Sequence, residues 1–300
     1  MSHPVKSLVR LWLALTRRSR RMNAGPGLDV ILYGEMLGDR WRAALGPASP
    51  IWRGMADVAR VTRAPRGLGD LLVAGADRDT VVIPLIERDV HACPPGGRRL
   101  SPTPEACDVF EDKRRFAAFV EAQGLGDVAA GALRLDAPAV FPCVLKRVDE
   151  RNGRGIVRIE DARDLATRLN DPIWRGRDVV LQEWIDGDEE FVTHLVCEKG
   201  RILWHRTYVY GLLPGETIRN DRRIASRTTV ALRDGDLAAM ERFLVPTGFD
   251  GPCNVNFKRR ADGRIAVFEI NPRFGGSLMR PDGLDDLAEA VRVLIDHART

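Results

Sequence analysis

Along this chain, apolar and polar positions change period block by block, and each change marks a predicted element. Leu28–Tyr33 (LDVILY) is apolar on both alternations and reads as a buried strand, and Asp39–Leu45 after it reads as a helix. Thr80–Leu85 (TVVIPL) is β-branched and predicts a second strand. Strands alternating with helical stretches point to a small α/β unit over 28–105, closed by the proline- and glycine-rich stretch Cys93–Glu105. Phe110–Gln123 then has Phe116, Phe119 and Val120 on one helical side, with Gly124 at its end. Strands are predicted at Phe141–Lys146, Ile156–Ile159 and Val179–Ile185, with a helix at Asp161–Asn170. Glu190–Cys197 and Arg201–Tyr210 form an antiparallel pair, Asp236–Leu244 a helix, Cys253–Ile270 a hairpin, and Leu284–Ala298 a closing helix.

The hairpin is the most informative segment. With Asp262-Gly263 at the centre of its turn, Asn256 faces Glu269 and Asn254 faces Asn271, all on one side of the sheet. Val255, Phe257, Phe268 and Ile270 occupy the other side as an ordinary core face. The open end thus gathers one carboxylate and three amides. Magnesium takes oxygen ligands and keeps several waters, so this set suits it when phosphates complete the shell. Glu269 has two oxygens with which to bridge two ions. A solvated polar face would carry the same periodicity, so the pattern needs support from elsewhere.

Basic and glycine-rich elements supply that support. Lys146 ends an apolar strand and precedes the loop Asp149–Gly155 (DERNGRG), where glycine lets backbone amides approach phosphate oxygens. Lys113 opens a helix and offers a second cation. Val179–Phe191 (VVLQEWIDGDEEF) is a strand leading into an acidic turn, which can read an adenine edge and ribose hydroxyls. Each of these is a weak signal alone.

Composition changes the picture only modestly. At 300 residues with 44% hydrophobic and 29% charged, the chain has the make-up of a soluble globular protein of two or three compact units. The net charge of +4 is concentrated in the first 28 residues, where Lys6, Arg10, Arg17, Arg18, Arg20 and Arg21 face no acid. The remainder is near neutral, which gives no reason to expect a nucleic-acid partner. Leu8, Leu11, Trp12 and Leu15 recur beside those cations, so residues 1–27 read either as a basic extension or as a membrane-surface anchor, the former being favoured. Five scattered cysteines with no C-x-x-C pair argue against a disulfide framework or a structural zinc site and fit a cytoplasmic protein.

Taken in order, the motifs resemble the ATP-grasp superfamily over roughly 108–295. They are Asp112-Lys113, then Pro142–Lys146 before the glycine loop, then Gln182-Glu183-Trp184-Ile185 with Gly187 and Glu190-Phe191. Phe268-Glu269-Ile270-Asn271-Pro272-Arg273 with Gly275-Gly276-Ser277 completes the set. The resemblance implies an α/β and α+β architecture in which two α+β subdomains, 106–185 and 186–300, clamp ATP behind a small Rossmann-like pre-ATP-grasp domain at 28–105. It further implies that Lys113 and Lys146 meet phosphates, that the loop with Gly153 and Gly155 closes over them, and that Gln182, Glu183, Trp184 and Ile185 lie at the adenine. Glu190 would bind ribose, with Glu189 as competitor. Asn256, Glu269 and Asn271 would hold Mg2+ or Mn2+, Asn256 being shorter than the family's usual residue. Arg273 and the Gly275–Ser277 turn would face the transferred phosphate. Among Arg206, Arg222, Arg223 and Arg227, Arg206 is the favoured catalytic cation, while Cys253 and His194 read as structural.

The implied activity is ligation of a carboxylate to an amine, with small amino-acid-like substrates, by way of an acyl phosphate. A homodimer is compatible with this reading. A kinase, a carbamoyl-phosphate- or carboxylase-like enzyme on the same fold, and a non-catalytic nucleotide-binding module are the alternatives.

Overall fold

The computed structural model describes residues 19–22, 27–136, 140–150, 155–216, 218–219 and 223–299. Its first unit runs β1 (Ser19–Arg21), β2 (Leu28–Tyr33), α1 (Asp39–Leu45), β3 (Val58–Ala64), α2 (Leu68–Ala74), β4 (Thr80–Pro84) and α3 (Glu87–Ala92). The sheet order is β1-β3-β2-β4, and β2 pairs in parallel with both β3 and β4. Both faces of β2 are covered, which is why its sequence is apolar throughout. Val30 and Leu32 pack with Trp41 and Trp52, whereas Ile31 and Tyr33 pack with Val73 and Val82. The helical expectation at 39–45 holds, but β3 and α2 were not legible, because VARVTRA breaks its apolar pattern with arginines. The extension also begins to fold earlier than expected: Ser19–Arg21 pairs antiparallel with β3. Residues 1–18 lie outside the described residues, so the proposed anchor does too.

Next come α4 (Pro104–Glu111), α5 (Lys113–Ala122), β5 (Ala132–Leu133), β6 (Cys143–Arg147), β7 (Ile156–Ile159), α6 (Ala162–Asn170) and β8 (Val179–Glu183). The single helix expected over 110–123 is two. Asp112 adopts an extended backbone, and its carboxylate accepts from the amides of Arg114 at 2.7 Å and Arg115 at 3.1 Å, capping α5. The four antiparallel strands lie in the order β5-β8-β6-β7, over a small core that includes Cys143, Leu145, Leu165 and Leu181.

The last sheet is built from β9 (Glu189–Glu198), β10 (Arg201–Gly211), β11 (Ser226–Val230), β12 (Gly251–Arg259) and β13 (Ile265–Asn271), in the order β11-β10-β9-β12-β13. Two helices accompany it, α7 (Asp236–Leu244) and α8 (Leu284–Ala298). Alternation decides what each face meets. Phe191, Leu195, Val255 and Phe257 point to α4, α5 and α7, where Phe110 and Phe116 meet Phe249 and Phe243. Val192, Val196, Tyr208 and Tyr210 point to α8 and the first unit. The stretch 106–129 therefore packs into the core of the last sheet, not with β5–β8 as the subdomain boundary at 106 had it. Among the described residues, no helix is long and apolar enough to cross a membrane.

Candidate active site

Between the β5–β8 sheet and the β12–β13 hairpin lies a cleft of ≈ 660 Å³. Val144, Lys146 and Gln182 line one wall, and Asn254, Asn256, Lys258, Glu269 and Asn271 the other, with Glu183–Ile185 connecting them. The register at the open end of the hairpin is the one alternation predicts: Asn254 opposes Asn271, and Asn256 opposes Glu269. Asn256 donates to Glu269 at 2.7 Å, while its own Oδ1 is buried without a hydrogen-bond partner among the described residues.

The turn end differs from expectation. Phe257 opposes Val267, so Phe268 is an extra, bulged residue. The bulge takes Phe268 off the core face where strict alternation had put it. It instead lines the cleft beside Ile185, with the Lys146 ammonium 5.1 Å from its ring centre. Lys258, two residues beyond Asn256 on the same parity, also faces the cleft and donates to the Gly187 carbonyl at 2.8 Å.

Charge is concentrated where β6 meets the hairpin. Lys146 is buried and donates to Gln182 Oε1. Burial pulls its ammonium down to about 8, against the opposing pull of Glu269. Burial pushes the Glu269 carboxyl up, but Lys146, the Asn256 amide, Lys113 and Arg273 outweigh it and leave it below its ordinary value. Lys113 reaches the same region from the start of α5, donating to the Glu150 carbonyl at 2.9 Å at the base of the glycine loop. Gly155 closes that base with φ +62°, and the Arg147 amide donates to its carbonyl at 2.7 Å. A Cβ there would sit 3.0 Å from those of Arg147 and Glu150, so Gly155 shapes the loop and is not among the residues lining the cleft. Gly153 and Arg222 lie outside the described residues.

Several expected roles are redistributed. The Glu183 carboxylate is committed to structure: it accepts from Arg260 Nη2 at 2.8 Å and from the Gly131 amide at 3.1 Å, which holds it below the usual range and fixes the connecting strand. Trp184 lines the cleft, with the cations of Arg158 and Lys258 at 4.8 and 5.0 Å from its ring. Of the two acids after the hinge, Glu189 is exposed and Glu190 is buried against the cleft, because adjacent strand residues point to opposite faces. Glu190 pairs with Arg219 at 2.8 Å. Burial still raises its carboxyl above the ordinary value. Arg219 was not singled out in the sequence, since nothing distinguishes it from neighbouring arginines until the loop folds back over Tyr210, 4.6 Å from the ring centre.

Arg206 is the clearest correction. It is not a cleft residue; α8 covers its stretch of β10, and its guanidinium pairs with Asp286 at 2.8 Å and Glu289 at 3.3 Å. Arg223 pairs with Glu216 at 3.1 Å. Arg227 is buried over Tyr208 and donates to the Ser277 carbonyl at 3.1 Å, supporting the Gly275–Ser277 turn from behind. His194 does the same through a 2.7 Å bond between Nε2 and the Ser277 hydroxyl. Burial first, and then Arg227, Arg219 and Arg273, push its imidazole down to about 3, so the ring is neutral. Its edge also explains Gly275, where a Cβ would lie 2.2 Å from the ring. Cys253 is buried in the core. Arg273 lines the cleft, with a 2.8 Å ion pair to Glu87 of the first unit that the sequence gave no sign of.

No family model matches the sequence, and no curated protein does. Solved structures match over most of the chain. An L-amino acid ligase from Bacillus licheniformis superposes with a TM-score of 0.62 at 15% identity, covering 92% of this chain and 75% of that one. D-alanine–D-alanine ligase from Bacillus anthracis gives a TM-score of 0.59 at 13% identity, covering 91% and 97%. N5-carboxyaminoimidazole synthase from Aspergillus clavatus, in complex with ADP and 5-aminoimidazole ribonucleotide, gives 0.55 at 16%, covering 84% and 71%. The chain has the ATP-grasp fold.

Proposed function

We propose that this protein is an ATP-dependent ligase that activates a carboxylate as an acyl phosphate and couples it to an amine, releasing ADP and phosphate. One observation carries the reading: Lys146 of β6, Lys113 at the start of α5, and Asn256, Glu269, Asn271 and Arg273 of the last hairpin and its exit line one cleft in an ATP-grasp fold. Phosphoryl transfer needs charge neutralisation and in-line positioning more than a side-chain nucleophile, and the cleft supplies that chemistry. The substrate carboxylate oxygen attacks the γ-phosphorus as the bond to the β-phosphate oxygen breaks. The amine nitrogen then attacks the acyl carbon, loses a proton and expels inorganic phosphate.

In this reading Lys113 and Lys146 bind phosphates, Gln182 holds the Lys146 ammonium, and the backbone of Trp184 and Ile185 reads adenine beside Phe268. Glu190 serves the ribose, and Lys258 adds positive charge to that end. The donor set fits a hard divalent cation. It pairs one carboxylate with amide oxygens, and Asn256 Oδ1, without a partner among the described residues, is an acceptor that a cation would satisfy. Glu269, Asn271 and Asn256 would hold Mg2+ or Mn2+, whose charge offsets that of the phosphates. The first unit acts as the pre-ATP-grasp domain and, with the loops, selects small amino-acid-like substrates. An ADP-release screen against amino acids, small acids and dipeptides, with mass spectrometry of products, tests the reading. An amide product with ADP is expected; a stable phosphorylated product, or no substrate-stimulated ADP release, contradicts it.

Two further outcomes follow from the geometry. Lys146 must be charged to bind phosphate, and its ammonium titrates at about 8 in the free protein. ATP affinity should therefore be highest below pH 8 and fall by up to about tenfold per pH unit above it. Binding above pH 8 should take up a proton, visible as a buffer-dependent heat in titration calorimetry. A flat profile to pH 9.5 without proton uptake would contradict the assignment. Arg206→Ala removes partly exposed ion pairs to α8, so it should cost about 1 kcal/mol in stability. Its turnover should stay within about threefold of wild type in steady-state assays; a severe loss would restore Arg206 to the site.

A further inference from the structure

The first unit contributes one buried carboxylate to the cleft, and that carboxylate reaches the arginine of the Asn271-Pro272-Arg273 run. Glu87 opens α3 just beyond the carboxyl end of β4, the edge of a parallel sheet where ligand sites form. Its side chain is 3% exposed and accepts from Arg273 Nε at 2.8 Å, across 186 residues of sequence. The rest of the arginine is tied to the hairpin. Nη1 donates to the Phe274 carbonyl at 3.2 Å and Nη2 to Asn271 Oδ1 at 3.4 Å, while Asn254 donates to the Arg273 carbonyl at 3.1 Å.

Removing two charges from water is costly, and a guanidinium cannot escape by losing its proton. A pair of this kind contributes little net stability, and removing one partner leaves the other charge uncompensated. Nη2 of Arg273 turns toward Asn271, and the carboxylate held at Nε fixes which way that edge of the guanidinium points. We propose that Glu87 is a positioning residue: by anchoring Nε, the first unit aims Arg273 at the transferred phosphoryl group. Catalytic competence thereby requires the first unit to be docked on the hairpin. This rests on the ligase reading for its kinetic consequence but not for its structural one.

The test has two arms. In 15N-labelled protein without nucleotide, the Arg273 Nε–H resonance, identified by its absence in Arg273→Lys, should be slow to exchange. It should shift and exchange fast in Glu87→Gln, and Glu87→Asp should recover part of the protection. A melting curve confirms that each variant is folded. In turnover with a substrate pair found by the ADP screen, Glu87→Gln should lower kcat about 10²-fold, the scale expected of a misplaced catalytic group. KM for ATP should stay within about twofold, and Glu87→Gln should add no further loss to Arg273→Ala. An unchanged resonance in Glu87→Gln overturns the proposal. So does a loss confined to KM for the amine, which would make Glu87 a substrate contact, and so do losses that multiply in the double variant. If wild type releases no ADP with any acid, the ligase reading fails, and the resonance arm still decides the positioning role.

Discussion

Glu269→Ala should lower turnover by at least about 10³-fold, the scale seen when a principal electrostatic group is removed from a site of developing charge. Among the described residues of the β12–β13 hairpin, Glu269 is the carboxylate that lines the cleft, opposite Asn256 and beside Lys146. The hairpin amides that remain are neutral and cannot offset the cation's charge as a carboxylate does. Glu269→Gln tests charge separately from shape and should be nearly as impaired. Neither change touches the core face of Val255, Phe257 and Ile270, so the melting temperature should move by only a few degrees. Because Glu269 raises the Lys146 pKa, its loss should lower that value further below about 8 and shift the pH dependence of ATP binding to more acidic values. Steady-state kinetics, calorimetric pH titration and a thermal melt check these outcomes; near wild-type ATP consumption in Glu269→Ala removes the metal role.

Lys146→Met should be the second most damaging change. Methionine keeps the length and apolar stem while removing the charge, so the effect reads out electrostatics and not a cavity. ATP affinity and phosphoryl transfer together should fall about 10²- to 10³-fold, and the loss of affinity above pH 8 should disappear, because the titrating group is gone. Glu269 would lose the cation that lowers its pKa most, so its carboxyl should titrate higher. Single-turnover measurements of ADP formation, with ATP binding followed separately, distinguish the two contributions. Unchanged affinity and rate would place Lys146 outside the phosphate site.

These expectations show what a single sequence carries and where it stops. The pairing of Asn256 with Glu269 and of Asn254 with Asn271 was legible because strand parity fixes which side chains share a face, and the polar and apolar sets did not mix. Phe268 was misplaced because a one-residue bulge leaves no compositional trace: a phenylalanine amid apolar neighbours looks the same in a core or in a nucleotide pocket. Arg206 failed for a different reason. Its strand faces the cleft side of the sheet, but α8 occupies that stretch, and helix docking over 80 residues away in sequence is invisible locally. Asp112 illustrates a middle case, since an aspartate within an apolar-periodic run is as compatible with a solvated helix position as with the cap that splits α4 from α5. Glu87 and Arg219 became visible only when distant segments met.

Binding of a non-hydrolysable ATP analogue, measured by calorimetry with and without Mg2+, tests the central arrangement most directly. The account predicts one site per chain in wild type, with affinity strengthened at least about tenfold by Mg2+, and with that strengthening lost in Glu269→Ala. Failure to bind the analogue, or equal Mg2+ dependence in wild type and Glu269→Ala, would contradict a nucleotide held between the hairpin's oxygens and the lysines across the cleft.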